Sequence, residues 1–204
     1  WTSSITIQNK GLTITGAGVD QTTITDKAFS LNNADDTVIS GFTFTSLDNN
    51  ALTIQGTQNF RLHHNTFDCA TWDDILVIGS LSAGRSPKAS AGVFDHNTIV
   101  ACRAVNWGEF SDSNGNDRWS EAHAMGDANA VYWEDNDFSI TTGRCDFGDN
   151  GVLCNAIDHN VGGRYVARFN TVTNRYFEMH GPQGPRAGQR AEVYLNTLTV
   201  TTPS

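Results

Sequence analysis

The sequence predicts an all-β chain wound as a solenoid, and two repeated marks predict it. The first is a corner at Asn65-Thr66-Phe67, Asn97-Thr98-Ile99, Asn136-Asp137-Phe138, Asn170-Thr171-Val172 and Asn196-Thr197-Leu198, with Phe42-Thr43-Phe44 as a looser copy. The second is an apolar-rich stretch closed by glycine, at Gly56, Gly79, Gly108, Gly148 and Gly181. Each glycine follows its corner by 14, 14, 11, 12 and 11 residues in turn. Two marks that keep step through five copies signal stacked repeats, each burying its apolar face against its neighbours. A third observation agrees: no stretch shows the 3.6-residue periodicity of an amphipathic helix.

The clearest copy of the unit is Arg164–Gly181, with a short strand, the corner Asn170–Val172, and a second strand ending on glycine. The opening stretch alternates apolar and polar residues (Ile5, Ile7, Leu12, Ile14, Ile24), which is strand periodicity punctuated by glycine. Segments 28–31 and 38–44 continue it. Corner spacings counted from Phe42 are 23, 32, 39, 34 and 26. A bare rung needs about two dozen residues, so the excess leaves as loops: Ser80–Ser90, Ser111–Asn129 with Trp119 and His123, and Pro182–Gly188 with Arg186. The expectation is one domain, 1–204, of about six to seven rungs with long loops. Because the chain opens on Trp1 rather than Met, it reads as processed, or as a module of something longer.

Apolar residues make up 38% of the chain, low for a globular core and sufficient for the narrow interior of a solenoid. Nineteen glycines against four prolines suit short strands joined by tight corners. The net charge of −9 argues against nucleic acid and anionic membrane as partners. It also makes an acidic polysaccharide an awkward ligand unless a divalent cation lies between. No apolar run reaches the length of a membrane span. Cys69 lies four residues after Asn65, and Cys102 five after Asn97, so in a solenoid they stack on neighbouring rungs within disulfide reach. Cys145 and Cys154 flank the loop Asp146–Leu153 and are placed to close it. Two bridges would mean an oxidising, extracellular setting; the other reading is four buried thiols.

The segments LHHNTF, FDHNTI, WEDNDF, ARFNTV and VYLNTL resemble the right-handed parallel β-helix repeats of the pectate-lyase-like superfamily. LTITGAG is similar to the first rungs of such proteins, and NAIDHNVGGRYVARFNTV to a stretch found in secreted bacterial β-helix proteins. The resemblance covers nearly the whole chain. It implies the fold rather than one activity, because the superfamily includes lyases, hydrolases, epimerases, tailspikes and adhesins.

Strand alternation then gives a candidate site. Positions three and five before each corner asparagine are mostly apolar and should face inward, Trp133 among them. Position −2 should face solvent and reads His63, Asp95, Glu134, Arg168, Tyr194, a single outward column if the corners lie on successive rungs. In the enzymes this chain resembles, outward carboxylates hold calcium, which bridges to a uronate, and an arginine or lysine removes the proton alpha to its carboxylate. That resemblance implies a Ca2+ site at Asp95 and Glu134, with Arg168 as base. An unperturbed guanidinium does not deprotonate, so Arg168 acts as base only with a strongly depressed pKa and otherwise binds a carboxylate. The plainer reading of the column is a cross-strand charge ladder.

A second cluster joins Glu178, His180, Arg186 and Arg190. His180 occupies a position that is apolar or aromatic in three other copies, so a structural role competes with a catalytic one. The two arginines are candidates to clamp an anionic sugar, against simple loop solvation. His63, as well as Tyr194, joins the substrate-binding candidates, and Trp72, Trp107 and Trp119 are candidate stacking surfaces for sugar rings. The adjacent His63-His64 and His96 lack zinc-ligand spacing. Thr-x-Thr pairs at Thr13, Thr23 and Thr43 read as out of register, which puts ice binding last.

Two functions follow as expectations. One is a secreted, carbohydrate-active β-helix that binds an acidic polysaccharide or cleaves it by β-elimination. The other is an extracellular structural or adhesive module that stacks end to end, because strand-like ends without a capping helix leave open edges.

Overall fold

The computed structural model describes residues 4–25, 29–45, 52–69, 74–78, 90–107, 128, 130–140, 155–160, 164–179 and 190–201. Among them are twenty-one strands, numbered β1 to β21 in chain order, and no helix. The first sheet contains β1 (Ile5–Gln8), β4 (Phe29–Asn32), β7 (Leu52–Gln55), β10 (Asp74–Ile78), β13 (Arg103–Trp107), β16 (Asn155–Asn160) and β19 (Tyr176–Met179). The second contains β2 (Thr13–Thr15), β5 (Val38–Ser40), β8 (Gln58–His63), β11 (Ala91–Asp95), β14 (Val131–Glu134), β17 (Arg164–Arg168) and β20 (Arg190–Tyr194). The third contains β3 (Thr23–Thr25), β6 (Thr43–Thr45), β9 (Thr66–Asp68), β12 (Thr98–Val100), β15 (Asp137–Ser139), β18 (Thr171–Thr173) and β21 (Thr197–Thr199). Every pairing is parallel, and each strand lies beside those three before and three after it. This is the topology of a parallel β-solenoid.

The corner mark, and the glycine mark at Gly56, fall where the chain takes a left-handed backbone. Between the second and third sheets the left-handed residue immediately precedes the corner triplet: Gly41, His64, His96, Asp135, Phe169 and Leu195, with φ from 52° to 76°. Between the first and second sheets it is Asn9, Asn33 and then Gly56 (φ 56°). At Gly56 the glycine mark therefore records a backbone need, which glycine meets without steric cost and asparagine tolerates; the other four mark glycines lie outside the described residues.

The corner asparagines form a ladder through the interior. Asn97 Nδ2 donates to the Leu62 carbonyl (2.9 Å), Asn136 Nδ2 to Phe94 (2.9 Å) and Asn170 Nδ2 to Trp133 (2.8 Å). Each Oδ1 accepts the backbone N–H of the preceding corner: Asn65 donates to Asn97, Asn97 to Asn136, and Asn136 to Asn170, at 3.0–3.1 Å. At the looser copy Phe42 contributes only its backbone N–H, which donates to Asn65 Oδ1 at 3.2 Å. A turn that a water would otherwise solvate is thus satisfied in a buried place.

Apolar columns fill the interior. In the second sheet Ile39, Leu62, Phe94, Trp133 and Ala167 stand in register, all fully buried. Phe94 and Trp133 stack at 3.9 Å, and the small Ala167 next to Trp133 compensates for its bulk. In the third, Ile24, Phe44, Phe67, Ile99, Phe138 and Val172 continue the row, with Phe44 and Phe67 stacked at 4.9 Å. Gly92 lets β11 approach β8, since a Cβ there would meet the Phe60 ring at 2.6 Å. Val193 is in phase with these columns but exposed, because β20 is an edge strand.

Cys69 and Cys102 form a disulfide between neighbouring corners, with Cα atoms 4.9 Å apart. Cys145 and Cys154 lie outside the described residues, as do nearly all of the three expected loops. One expectation needs correcting. Thr23–Thr25 and Thr43–Thr45 pair in register, and Thr66 and Thr98 extend the first of their two columns. Register between parallel strands, not separation along the chain, decides which threonines align.

Two substitutions test the corner. Asn136→Ala strands the Asn97 N–H and the Phe94 carbonyl and should destabilise by roughly 2–5 kcal/mol. Leu195→Asn relieves a left-handed leucine on the surface and should stabilise by up to about 1 kcal/mol. Urea-unfolding midpoints read both.

Candidate functional site

The outward column is in register. His63 pairs with Asp95, Asp95 with Glu134, Glu134 with Arg168, and Arg168 with Tyr194. A parallel repeat makes this inevitable once the corners align, since side chains of one phase repeat at the strand spacing of about 4.8 Å. The column does not stand uniformly in solvent, however. Asp95 is only 5% exposed. Arg61 reaches over from position −4 of β8 and grips it with two hydrogen bonds, Nε to Oδ1 at 2.8 Å and Nη2 to Oδ2 at 2.7 Å. His96, turned outward by its left-handed φ, sets Nδ1 at 2.9 Å from Oδ2.

Burial raises the Asp95 pKa, but hydrogen bonds from Arg61 and His96 and the charge of Arg61 outweigh it, so the carboxyl lies below its ordinary value. His63 is held below the usual imidazole value, first by burial and then by the charge of Arg61. Further along, Arg168 donates from Nε to Glu134 Oε1 (2.7 Å) and from Nη1 to the Tyr194 hydroxyl (3.0 Å). Its guanidinium also lies over the rings of Tyr132 (5.3 Å) and Phe169 (5.7 Å). The Tyr194 hydrogen bond raises the Arg168 pKa and Glu134 adds to this, against a smaller opposing effect of burial.

A base role for Arg168 needs a depressed pKa, and its hydrogen bonds to Tyr194 and Glu134 act in the other direction. Of the two expected calcium ligands, Asp95 accepts from Arg61 and Glu134 from Arg168. Among the described residues no group of three or more His, Cys, Asp or Glu is placed to hold a metal ion. His180 and Arg186 lie outside the described residues, and Arg190 opens β20 without its side chain being described.

The sequence reading missed Arg61. It shares the outward phase of the column, and reading position −4 beside position −2 would have found it. It also assigned no role to Asp158 and His159, which belong to a buried polar group on the first sheet. Asp158 and Glu178 are register neighbours, Arg103 Nη1 lies 3.6 Å from Asp158 Oδ2, and the Asn155 amide donates to the Glu178 carboxylate. Arg175 donates to the Asn155 carbonyl, and burial pulls its pKa down to about 9. On the inward side His159 Nδ1 donates to the Glu178 carbonyl at 2.9 Å and meets Tyr165 edge-on, while Asn106 accepts from Trp133 Nε1 at 3.4 Å. Polar residues at inward phase, Asn106 and His159, were the available signal.

The fold thus defines an all-β, parallel-sheet solenoid with a charge-paired outward column. No protein-family model, curated protein or solved structure matches the chain.

The Arg61–Asp95 pair has a pH signature. Because the folded Asp95 pKa is depressed, its contribution is complete above the unfolded value of about 3.9 and disappears as pH falls through the lower folded value. Arg61→Ala should cost about 1–3 kcal/mol at pH 7, and chemical unfolding at successively lower pH should show the gap to the parent protein closing once Asp95 is protonated.

Proposed function

We propose that the chain is a secreted, right-handed parallel β-helix of pectate-lyase-like kind, of seven turns, that binds an acidic polysaccharide along the column from His63 to Tyr194. The observation that carries this reading is the Arg168 platform. A cation lying over the rings of Tyr132 and Phe169 and hydrogen-bonded to Tyr194 is a surface suited to sugars. Phe169 and Tyr194 are exposed and can pack against pyranose faces. A guanidinium carries five N–H donors, and Glu134 and Tyr194 engage three of its nitrogens without using all five, which leaves donors for a uronate carboxylate. Binding rather than cleavage is the half this platform supports, because the partners of Arg168 raise its pKa rather than lower it. The Cys69–Cys102 disulfide supports an oxidising location.

A second reading, a structural or adhesive module that stacks end to end, draws on the exposed Val193, Leu195, Leu198 and Val200 around the edge strands β20 and β21. Light scattering over a concentration series separates it, since stacking gives mass that grows with concentration.

For the first reading, affinity electrophoresis and calorimetry against polygalacturonate, alginate and a neutral glucan are the test. Retention on an acidic polymer, lowered at least about tenfold by Arg168→Ala and by Tyr194→Ala, is expected. Absence of binding to every polymer, or equal binding by both variants, rejects it. Unsaturated products seen by ultraviolet absorbance would restore cleavage.

A further inference from the structure

His63 and His64 are adjacent, and on a plain strand adjacent side chains point to opposite faces. Here they do not. β8 ends at His63, and His64 takes a left-handed φ of 52°. The turn brings the two rings to the same side, perpendicular to each other, with their Nδ1 atoms 2.9 Å apart.

At that separation one ring's N–H donates to the other's bare nitrogen, in whichever direction the tautomers set. With both nitrogens bare, the same pair can hold one metal ion, and the separation discriminates among metals. Two ligands each about 2.0–2.1 Å from one ion stand about 2.9 Å apart when they meet at a right angle, and about 3.3–3.4 Å apart at the tetrahedral angle of zinc. The observed distance fits neighbouring positions of a square-planar or tetragonal ion, the geometry of Cu2+ and Ni2+.

The surroundings hold the pair in place. The His64 ring stacks face to face on His96, with centroids 5.0 Å apart and planes within 3°. His96 is fixed in turn by Asp95, and Asp95 by Arg61. The opposing charges of Arg61 and Asp95 cancel locally, so the cation of Arg61 does not repel an incoming ion unopposed. A left-handed corner accounts for histidine at positions 64 and 96, where Asn, Asp and His are favoured. It does not account for His63, whose nitrogen completes the pair. The equivalent position elsewhere holds Asp95, Glu134, Arg168 or Tyr194, so at none of those corners do two histidines stand side by side.

We propose that His63 Nδ1 and His64 Nδ1 form a two-nitrogen chelate for a divalent transition-metal ion of the Cu2+ or Ni2+ type, with solvent completing the coordination. With only two protein ligands it falls below the four of a structural zinc site, and it shares only His63 with the polysaccharide column.

The test is titration of the metal-free, untagged protein with Cu2+ alone in a non-coordinating buffer, followed by calorimetry and electron paramagnetic resonance. One equivalent bound, with coupling to two nitrogens, is expected. Even removing an outer partner of a ligand lowers metal affinity about 10- to 100-fold, so His63→Ala and His64→Ala should each lose at least tenfold, and His96→Ala, which removes only the stacked support, should lose less. His64 is exposed and His63 half-buried, so both variants should fold, and circular dichroism checks this. Binding unchanged in either of the first two variants places the ion on other histidines and overturns the proposal. A one-nitrogen spectrum, or no stoichiometric binding, overturns it too. Polysaccharide retention measured without metal reports on the other reading separately.

Discussion

The asparagine ladder is the interaction on which the rest of this structure depends. A chain that turns between two sheets must take at least one residue through a left-handed conformation, and it buries the peptide groups on either side. Both demands are costly alone. The side chain of Asn136 meets them together: its amide nitrogen caps the Phe94 carbonyl, and its oxygen takes the Asn97 N–H. Because each asparagine supports the corner before it, the ladder transmits register. Fixing one corner fixes the next, and with it the phase of every side chain on β8, β11, β14, β17 and β20. The apolar columns and the outward column are two consequences of that single constraint.

On the outward face, charge is settled locally. Asp95 with Arg61, and Glu134 with Arg168, are paired on the sheet, in a chain whose net charge is −9. The same pairing engages the side chains to which the family resemblance gives chemistry: Asp95 accepts from Arg61, and Arg168 donates to Glu134 and Tyr194. Polar groups on the first sheet follow another logic: Asn106 and His159 replace apolar residues in the interior, and each finds a partner there, Trp133 or the Glu178 carbonyl.

Much of the architecture was legible in the chain because it is periodic. The corner triplets, and the closing glycine at Gly56, are local demands of the backbone, written in the residues that meet them. Alternation from those corners placed Leu62, Phe94 and Trp133 inside and aligned His63 with Asp95, Glu134, Arg168 and Tyr194. Cys69 and Cys102 were legible for the same reason, being tied to successive corners. Arg61 was not. A long side chain reaches diagonally across a strand, and a reading confined to one column does not see it. The exposure of Asp95 was misjudged as a result.

By itself, then, the sequence determined the repeat, the stacking of its copies, the phase of the strands that lead into the corner asparagines, and that Cys69 and Cys102 stand within disulfide reach, because each depends on residues close in sequence or fixed by register. Only the tertiary structure decided which partners the outward charges chose. It alone showed that Arg168 is held charged, that Asp95 is covered, and that two adjacent histidines face each other. These outcomes turn on side-chain reach and on one backbone angle at His64, and neither is carried by the spacing of residues along a chain.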